Sequence, residues 1–188
     1  MGKRQPSPPV SSARHWRPPE RPTDHASDRH LTPLGVPGPW HERLPHFYLK
    51  DASLQGNELQ SEYFVPRQHA VAAMQTVARF REQLAPILQI SEIRTVAADK
   101  LWLSPAYGQD IVGIHFNWHK NWPAVEQFLP TLEEQLAPFA ARPHWGKLFA
   151  MSPAQVQSHY ARLADFRALM RHYDPQGKFR NAFLERYI

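Results

Sequence analysis

S-E-I-R-T-V (Ser91–Val96), G-I-H-F-N-W (Gly113–Trp118) and R-P-H-W-G-K-L (Arg142–Leu148) are the segments on which the fold of this 188-residue chain turns. Each sets charged or titratable side chains in an apolar, extended-looking context. An unpaired buried charge is costly, so such groups pair, bind something or form a site. Read as strands, they alternate their side chains between two faces. Val112, Ile114, Phe116 and Trp118 then form a wholly apolar face that calls for helices beneath it. Gly113, His115 and Asn117 form the opposite face, small and polar. In the neighbouring segment Ile90, Glu92, Arg94 and Val96 share one face, and Ser91, Ile93 and Thr95 the other. Taken singly, Glu92 and Arg94 also fit a surface ion pair, and His115 a hydrogen-bonded surface histidine.

Working outward, Glu58–Val65 reads as a strand stopped by Pro66, and His46–Leu49 as a shorter one before a turn at Gly56-Asn57. His69–Leu84 has helical spacing, with Ala70, Ala73, Val77, Phe80 and Leu84 on one stripe. Ile87–Ala97 and Asp110–Trp118 are strands around a loop. A helix follows from Pro123, and Pro130 inside it is expected to kink or restart it before Pro138 ends it. Arg142–Phe149 reads as a strand or extended segment. Ser152-Pro153 then caps a third helix running to Tyr173, with Val156, Tyr160, Leu163, Phe166 or Arg167, Met170 and Tyr173 on its buried face. Asp174-Pro175-Gln176-Gly177 is a turn, and Lys178–Ile188 a short extended or one-turn ending. Strands and helices do not strictly alternate. The expected class is therefore α+β: an antiparallel sheet with helices packed on one face, in a ferredoxin-like β-α-β-β-α-β order.

Composition narrows the function. Residues 1–45 hold 10 of the 19 prolines and few long aliphatic side chains, too little apolar surface to offset ordering. Residues 1–36 are expected to be a disordered tail, and 37–188 the folded domain. Lys and Arg outnumber Asp and Glu by 22 to 17, without a dense basic run, so no nucleic-acid partner is expected. Cysteine is absent, which excludes thiolate catalysis and cysteine-ligated zinc; no metal is expected. No run of ~18 apolar residues suits a transmembrane segment and no apolar signal core is present, so a cytoplasmic location is expected.

Five motifs in order carry a resemblance. They are Q-S-E-Y-F-V-P-R (Gln60–Arg67), I-S-E-I-R-T-V (Ile90–Val96), the strand with His115, R-P-H-W-G-K (Arg142–Lys147) and D-P-Q-G-K-F-R-N-A-F-L (Asp174–Leu184). Together they resemble the C-terminal substrate domain of the FAD-linked alditol/xylitol oxidases and the D-arabinono-1,4-lactone and L-gulonolactone oxidases, within the vanillyl-alcohol oxidase superfamily. The resemblance implies oxidation of a CH–OH group of a sugar alcohol or aldonolactone, with O2 as acceptor and H2O2 as product. It makes Glu92, Arg94, His115 and Lys147 the catalytic candidates, with Asn117 joining Glu92 and Arg94 in binding substrate. Asn117 stands where threonine is expected in the alditol branch. Lys147, His144, Gly146 and Asn181 are the candidates facing the FAD. Either Lys147 lies by the flavin ring, or Arg94 does and Lys147 polarises the alcohol.

The family's FAD-binding domain has no counterpart here: the eight glycines are scattered, with no phosphate-cradling cluster. The chain is thus expected to be inactive alone, with a separate FAD-binding domain or chain as its partner. The alternative is a non-catalytic binding or assembly module derived from the same domain.

Overall fold

The computed structural model describes residues 59–188. The tail, the His46–Leu49 strand and the Gly56-Asn57 turn lie outside the described residues. The strands are β1 (Leu59–Pro66), β2 (Leu88–Val96), β3 (Ile111–Trp118) and β4 (Arg142–Pro143). The helices are α1 (Ala70–Ala78), α2 (Arg81–Leu84), α3 (Trp122–Leu136), α4 (Pro153–Ser158), α5 (Leu163–Tyr173) and α6 (Ala182–Tyr187). The sheet has the order β2-β3-β1-β4, and each neighbouring pair is antiparallel. This is the split β-α-β arrangement expected from the order of elements.

The period-2 alternation decides which face is covered. Tyr63, Val65, Val112, Ile114, Phe116 and Trp118 are buried together with Val125, Phe128, Leu129 and Leu132 of α3. Trp118 stacks on Phe116 (ring centroids 5.1 Å apart) and meets Phe128 edge-on. The uncharged apolar residues thus go under the helices, and Glu62, His115, Glu92 and Arg94 share the opposite face, where Glu62 and His115 are buried and Glu92 and Arg94 exposed.

Several elements depart from the periodic pattern. The helix expected over His69–Leu84 breaks into α1 and α2 around Phe80, whose ring packs edge-on against Phe128. The helix expected from Ser152 to Tyr173 breaks into α4 and α5, which turns Tyr160 into contact with Trp145 at 4.8 Å. Tyr173, expected on the buried face, is 75% exposed beyond that break. α3 runs through Pro130 without restarting. Pro130 lies on the solvent side, where the carbonyl it leaves unpaired can be hydrated. β4 is only two residues long, and the chain then turns. Even so, the His144 and Leu148 amides donate to the Glu62 and Gln60 carbonyls, at 2.9 and 2.8 Å. The turn therefore still follows the β1 edge. Lys178–Ile188 ends in a helix of six residues, α6. No helix among the described residues is long and apolar enough to cross a membrane.

One buried polar contact ties sheet, helix and loop together. The Tyr63 hydroxyl donates to Glu133 Oε1 at 2.6 Å, and the Ala150 amide donates to the same oxygen at 2.7 Å. Burial pushes the Glu133 carboxyl up, and these two hydrogen bonds oppose that rise. Tyr63→Phe is expected to cost about 2 kcal/mol at pH 7 by leaving a buried acceptor underserved. A carboxyl whose folded pKa is raised weakens stability as pH rises from the unfolded pKa through the folded one. Losing the tyrosine donor raises it further. Urea unfolding across pH should therefore show the Tyr63→Phe deficit growing from acid to neutral pH.

Candidate functional site

The sheet face opposite the apolar one is organised by a residue that the sequence motifs contain but do not single out. Antiparallel register sets Glu62 of β1 opposite His115 of β3, and His115 opposite Glu92 of β2, giving one row across three strands. The next row is Phe64, Gly113 and Arg94. Glu62 Oε1 accepts from Arg94 Nη1 at 3.1 Å, and Glu62 Oε2 accepts from Lys147 Nζ at 2.6 Å. The Glu62 side chain is 4% exposed, that of Lys147 15% and that of Arg94 44%. A buried carboxylate thus holds two cations that come from opposite edges of the sheet. Arg94 also pairs with the Glu92 carboxylate on its own strand.

Gly113 makes room for this arrangement. A Cβ there would lie 2.9 Å from Glu62 Oε1 and 3.1 Å from the Phe64 ring. The glycine is needed for close approach, at a strand position where glycine is otherwise unfavourable.

Electrostatics follow from the geometry. Burial pushes the Glu62 carboxyl up, but the Lys147 hydrogen bond and the charges of Lys147, Arg94 and His115 outweigh it and hold the carboxyl below its usual range. Burial and then the Lys147 and Arg94 cations lower His115, against the pull of Glu62 and Glu92. Burial and Lys147 likewise lower His144. Both imidazoles are neutral at neutral pH, and the two carboxylates balance the two cations.

Hydrogen-bonding capacity remains. His115 Nε2 lies 3.3 Å from Gln60 Oε1, while its Nδ1 is buried without a hydrogen-bond partner, 3.8 Å from Glu92 Oε2. Asn117 Oδ1 is also buried without a hydrogen-bond partner. A buried polar atom left without a partner costs stability, which a ligand's hydroxyl can recover. The face therefore offers fixed cations, carboxylates and two unused polar atoms within one sheet.

Glu92, Arg94, His115 and Lys147 are brought together, with Asn117 next along β3 from His115 on the same face. His144 and Gly146 form the turn that delivers Lys147, with the Gly146 amide donating to His144 Nδ1 at 3.0 Å. Trp145 anchors that turn by donating to the Leu103 carbonyl at 3.0 Å. Asn181 sits elsewhere: its side-chain oxygen caps α6 by accepting from the Leu184 amide at 2.9 Å. A shallow groove of about 350 Å³, lined by Lys147, Phe149, Phe183 and Arg186, joins the Lys147 turn to α6. Glu62 and Gln60 are the residues that motif reading passed over. Their signal is the alternation Gln60, Glu62, Phe64, which places an acid on the same face as Arg94.

Comparison with known proteins places these residues in context. Residues 54–187 match the model of the D-arabinono-1,4-lactone oxidase family. An alditol oxidase from Streptomyces sp. is 54% identical over 151 residues, which is 80% of this chain and 36% of that protein. An L-gulono-1,4-lactone dehydrogenase from Mycobacterium tuberculosis is 31% identical over 130 residues, 69% of this chain and 30% of that protein. An L-gulonolactone oxidase from Scyliorhinus torazame is 30% identical over 98 residues, 50% of this chain and 22% of that protein. The chain spans about a third of the length of the first two relatives.

Proposed function

The chain belongs to the D-arabinono-1,4-lactone oxidase family, and from that premise we propose that its polar sheet face is the substrate-binding face of an FAD-dependent oxidase. The substrate is a sugar alcohol or an aldonolactone. The observation that carries the reading is the buried Glu62 carboxylate holding Arg94 and Lys147 on a face that also carries the buried His115 Nδ1 and Asn117 Oδ1, neither with a hydrogen-bond partner among the described residues.

The roles follow from chemistry. A polyol presents hydroxyls that donate and accept. Glu92 accepts from them, Arg94 donates to them, and Asn117 Oδ1 accepts. Neutral His115 holds Nδ1 free to take or give a proton at a substrate oxygen. Lys147 is a fixed positive charge suited to stabilising negative charge that develops beside it. The charge of Lys147 fits a flavin at that end of the face, with His144 and Gly146 in the turn that delivers it, whereas Asn181 caps α6 and is not part of that set. The flavin, when bound, takes two electrons from the CH–OH carbon and delivers them to O2, so the alcohol becomes a carbonyl and O2 becomes H2O2. This chain's residues orient the carbinol, hold its proton and supply the charges. The FAD is held chiefly by a domain or chain outside the described residues.

The test is a visible spectrum of the purified chain with FAD, followed by a peroxide assay with xylitol and with an aldonolactone. The chain alone is expected to be colourless and inert, and addition of a separately expressed FAD-binding domain of the family is expected to produce peroxide. Flavin binding and turnover by the chain alone would remove the need for a second domain. If every pairing stays inert and neither substrate perturbs the His115 ring resonances, the substrate-face reading fails.

A further inference from the structure

The two edges of the sheet are built differently. β4 is two residues long and ends on Pro143, so it offers no run of free amides. β2 is nine residues long, without lysine or proline, and its register shift is confined to Leu88/Ile90. Among the described residues no strand pairs with its outer side. Ile90, Ile93 and Val96 on it are 49%, 51% and 39% exposed. A long, β-branched, unblocked edge is what sheets otherwise avoid, because it is ready to accept another strand.

We propose that this edge is a self-association surface, on which two copies of the chain pair antiparallel through β2 about a twofold axis at Ile93. Two four-stranded sheets would then form one continuous sheet. The argument is complementarity. A twofold axis perpendicular to the sheet must pass through a residue position, because only then do opposed side chains share a face. With the axis at Ile93, Glu92 opposes the second copy's Arg94 and Arg94 opposes its Glu92. Ile93 then meets Ile93, Ser91 meets Thr95, and Ile90 meets Val96. An axis at Glu92 or at Arg94 sets like charges face to face, and axes at Ser91 or Thr95 leave Glu92 or Arg94 opposite an aliphatic side chain. Only the Ile93 register satisfies both charges and apolar groups, and directly opposed pairs are what stabilise a sheet. The guanidinium of Arg94 has donors enough for Glu62, Glu92 and the second copy's Glu92. The proposal rests on the sheet geometry and does not depend on the catalytic reading.

Sedimentation equilibrium of the full chain tests it. A dimer with a dissociation constant of about 10–100 µM is expected, the range of a small interface. Ile93→Lys sets two ammonium groups against each other at the axis and is expected to weaken the dimer by at least about tenfold, whereas Ile93→Val retains it. Hydrogen exchange on the unmodified chain needs no variant: the outward amides of 90–96 should slow with concentration, while those bonded to β3 should not change. A chain that stays monomeric at its highest soluble concentration overturns the proposal. So does a dimer that survives Ile93→Lys while its edge amides stay unprotected.

Discussion

Glu62→Leu is expected to lower the unfolding free energy by about 3 kcal/mol at pH 7, the low end of what breaking a buried ion pair costs. Two terms set the size. The leucine leaves the Lys147 ammonium, only 15% exposed, without its carboxylate. Arg94 loses one of two carboxylates but is 44% exposed, so water screens much of its loss. The pH dependence distinguishes this from a packing defect. The Glu62 carboxyl is held below its usual range in the fold. Its contribution is therefore complete above the unfolded pKa of about 4.3 and disappears as pH falls through the folded pKa. Urea unfolding of both proteins from pH 3 to 8 should show the gap closing in acid. A gap that stays constant with pH would mean that leucine merely packs badly there. A gap under about 0.5 kcal/mol would mean that Glu62 does not organise the cations. In a complemented enzyme the same substitution should reduce turnover by about a hundredfold, the effect of misplacing one electrostatic group.

That a glutamate missed in the motifs organises the face shows what kind of information a sequence carries. The row Glu92, His115 and Glu62 is set by register across three strands. Register depends on pairings between residues 23 and 53 positions apart, as the numbering of those partners shows. Alternation within each strand was legible, because one face of β3 is entirely apolar and a period of 2 leaves no choice. Which polar residue of β1 would meet Arg94 was not. Read alone, Gln60, Glu62 and Phe64 look like the outer side of an ordinary amphipathic strand. Gly113 hinted at a close approach, but not at what approaches. Glu92, Arg94, His115 and Lys147 do converge, whereas Asn181 spends its side-chain oxygen on capping α6.

The departures in the fold have a common cause. Apolar spacing continues through Phe80 and through Tyr160, so a periodic reading extends each helix past its break. At the breaks Phe80 meets Phe128 and Tyr160 meets Trp145, long-range contacts that helical spacing alone does not foretell. At Pro130 the opposite holds. One lost backbone bond on the solvent side is outweighed by Phe128, Leu129 and Leu132 packing on the sheet, so α3 continues.

Trp118→Ala is expected to remove about 3–5 kcal/mol, a large share of the ~5–15 kcal/mol that holds a domain of this size together. Trp118 is fully buried, stacked on Phe116 and edge-on to Phe128. Its Nε1 donates to Ser61 Oγ at 3.1 Å, so truncation leaves a cavity and also a hydroxyl that has lost its donor. Trp118→Phe separates the two, keeping much of the ring stack while losing the donor, and should cost about 1–2 kcal/mol. The larger loss should lower the melting temperature by about 10–15 °C. The damage should also be distributed in a definite way. Among the described residues β2 is held to the sheet through β3, so loosening β3 at Trp118 should release β2 before β1 or β4. Hydrogen exchange in Trp118→Ala should then rise first over Leu88–Val96, carrying Glu92 and Arg94 away from Glu62 while Lys147 stays paired with it. Uniform exchange across all four strands would show instead that the sheet opens as one unit, and the site would then be lost whole rather than from its β2 side.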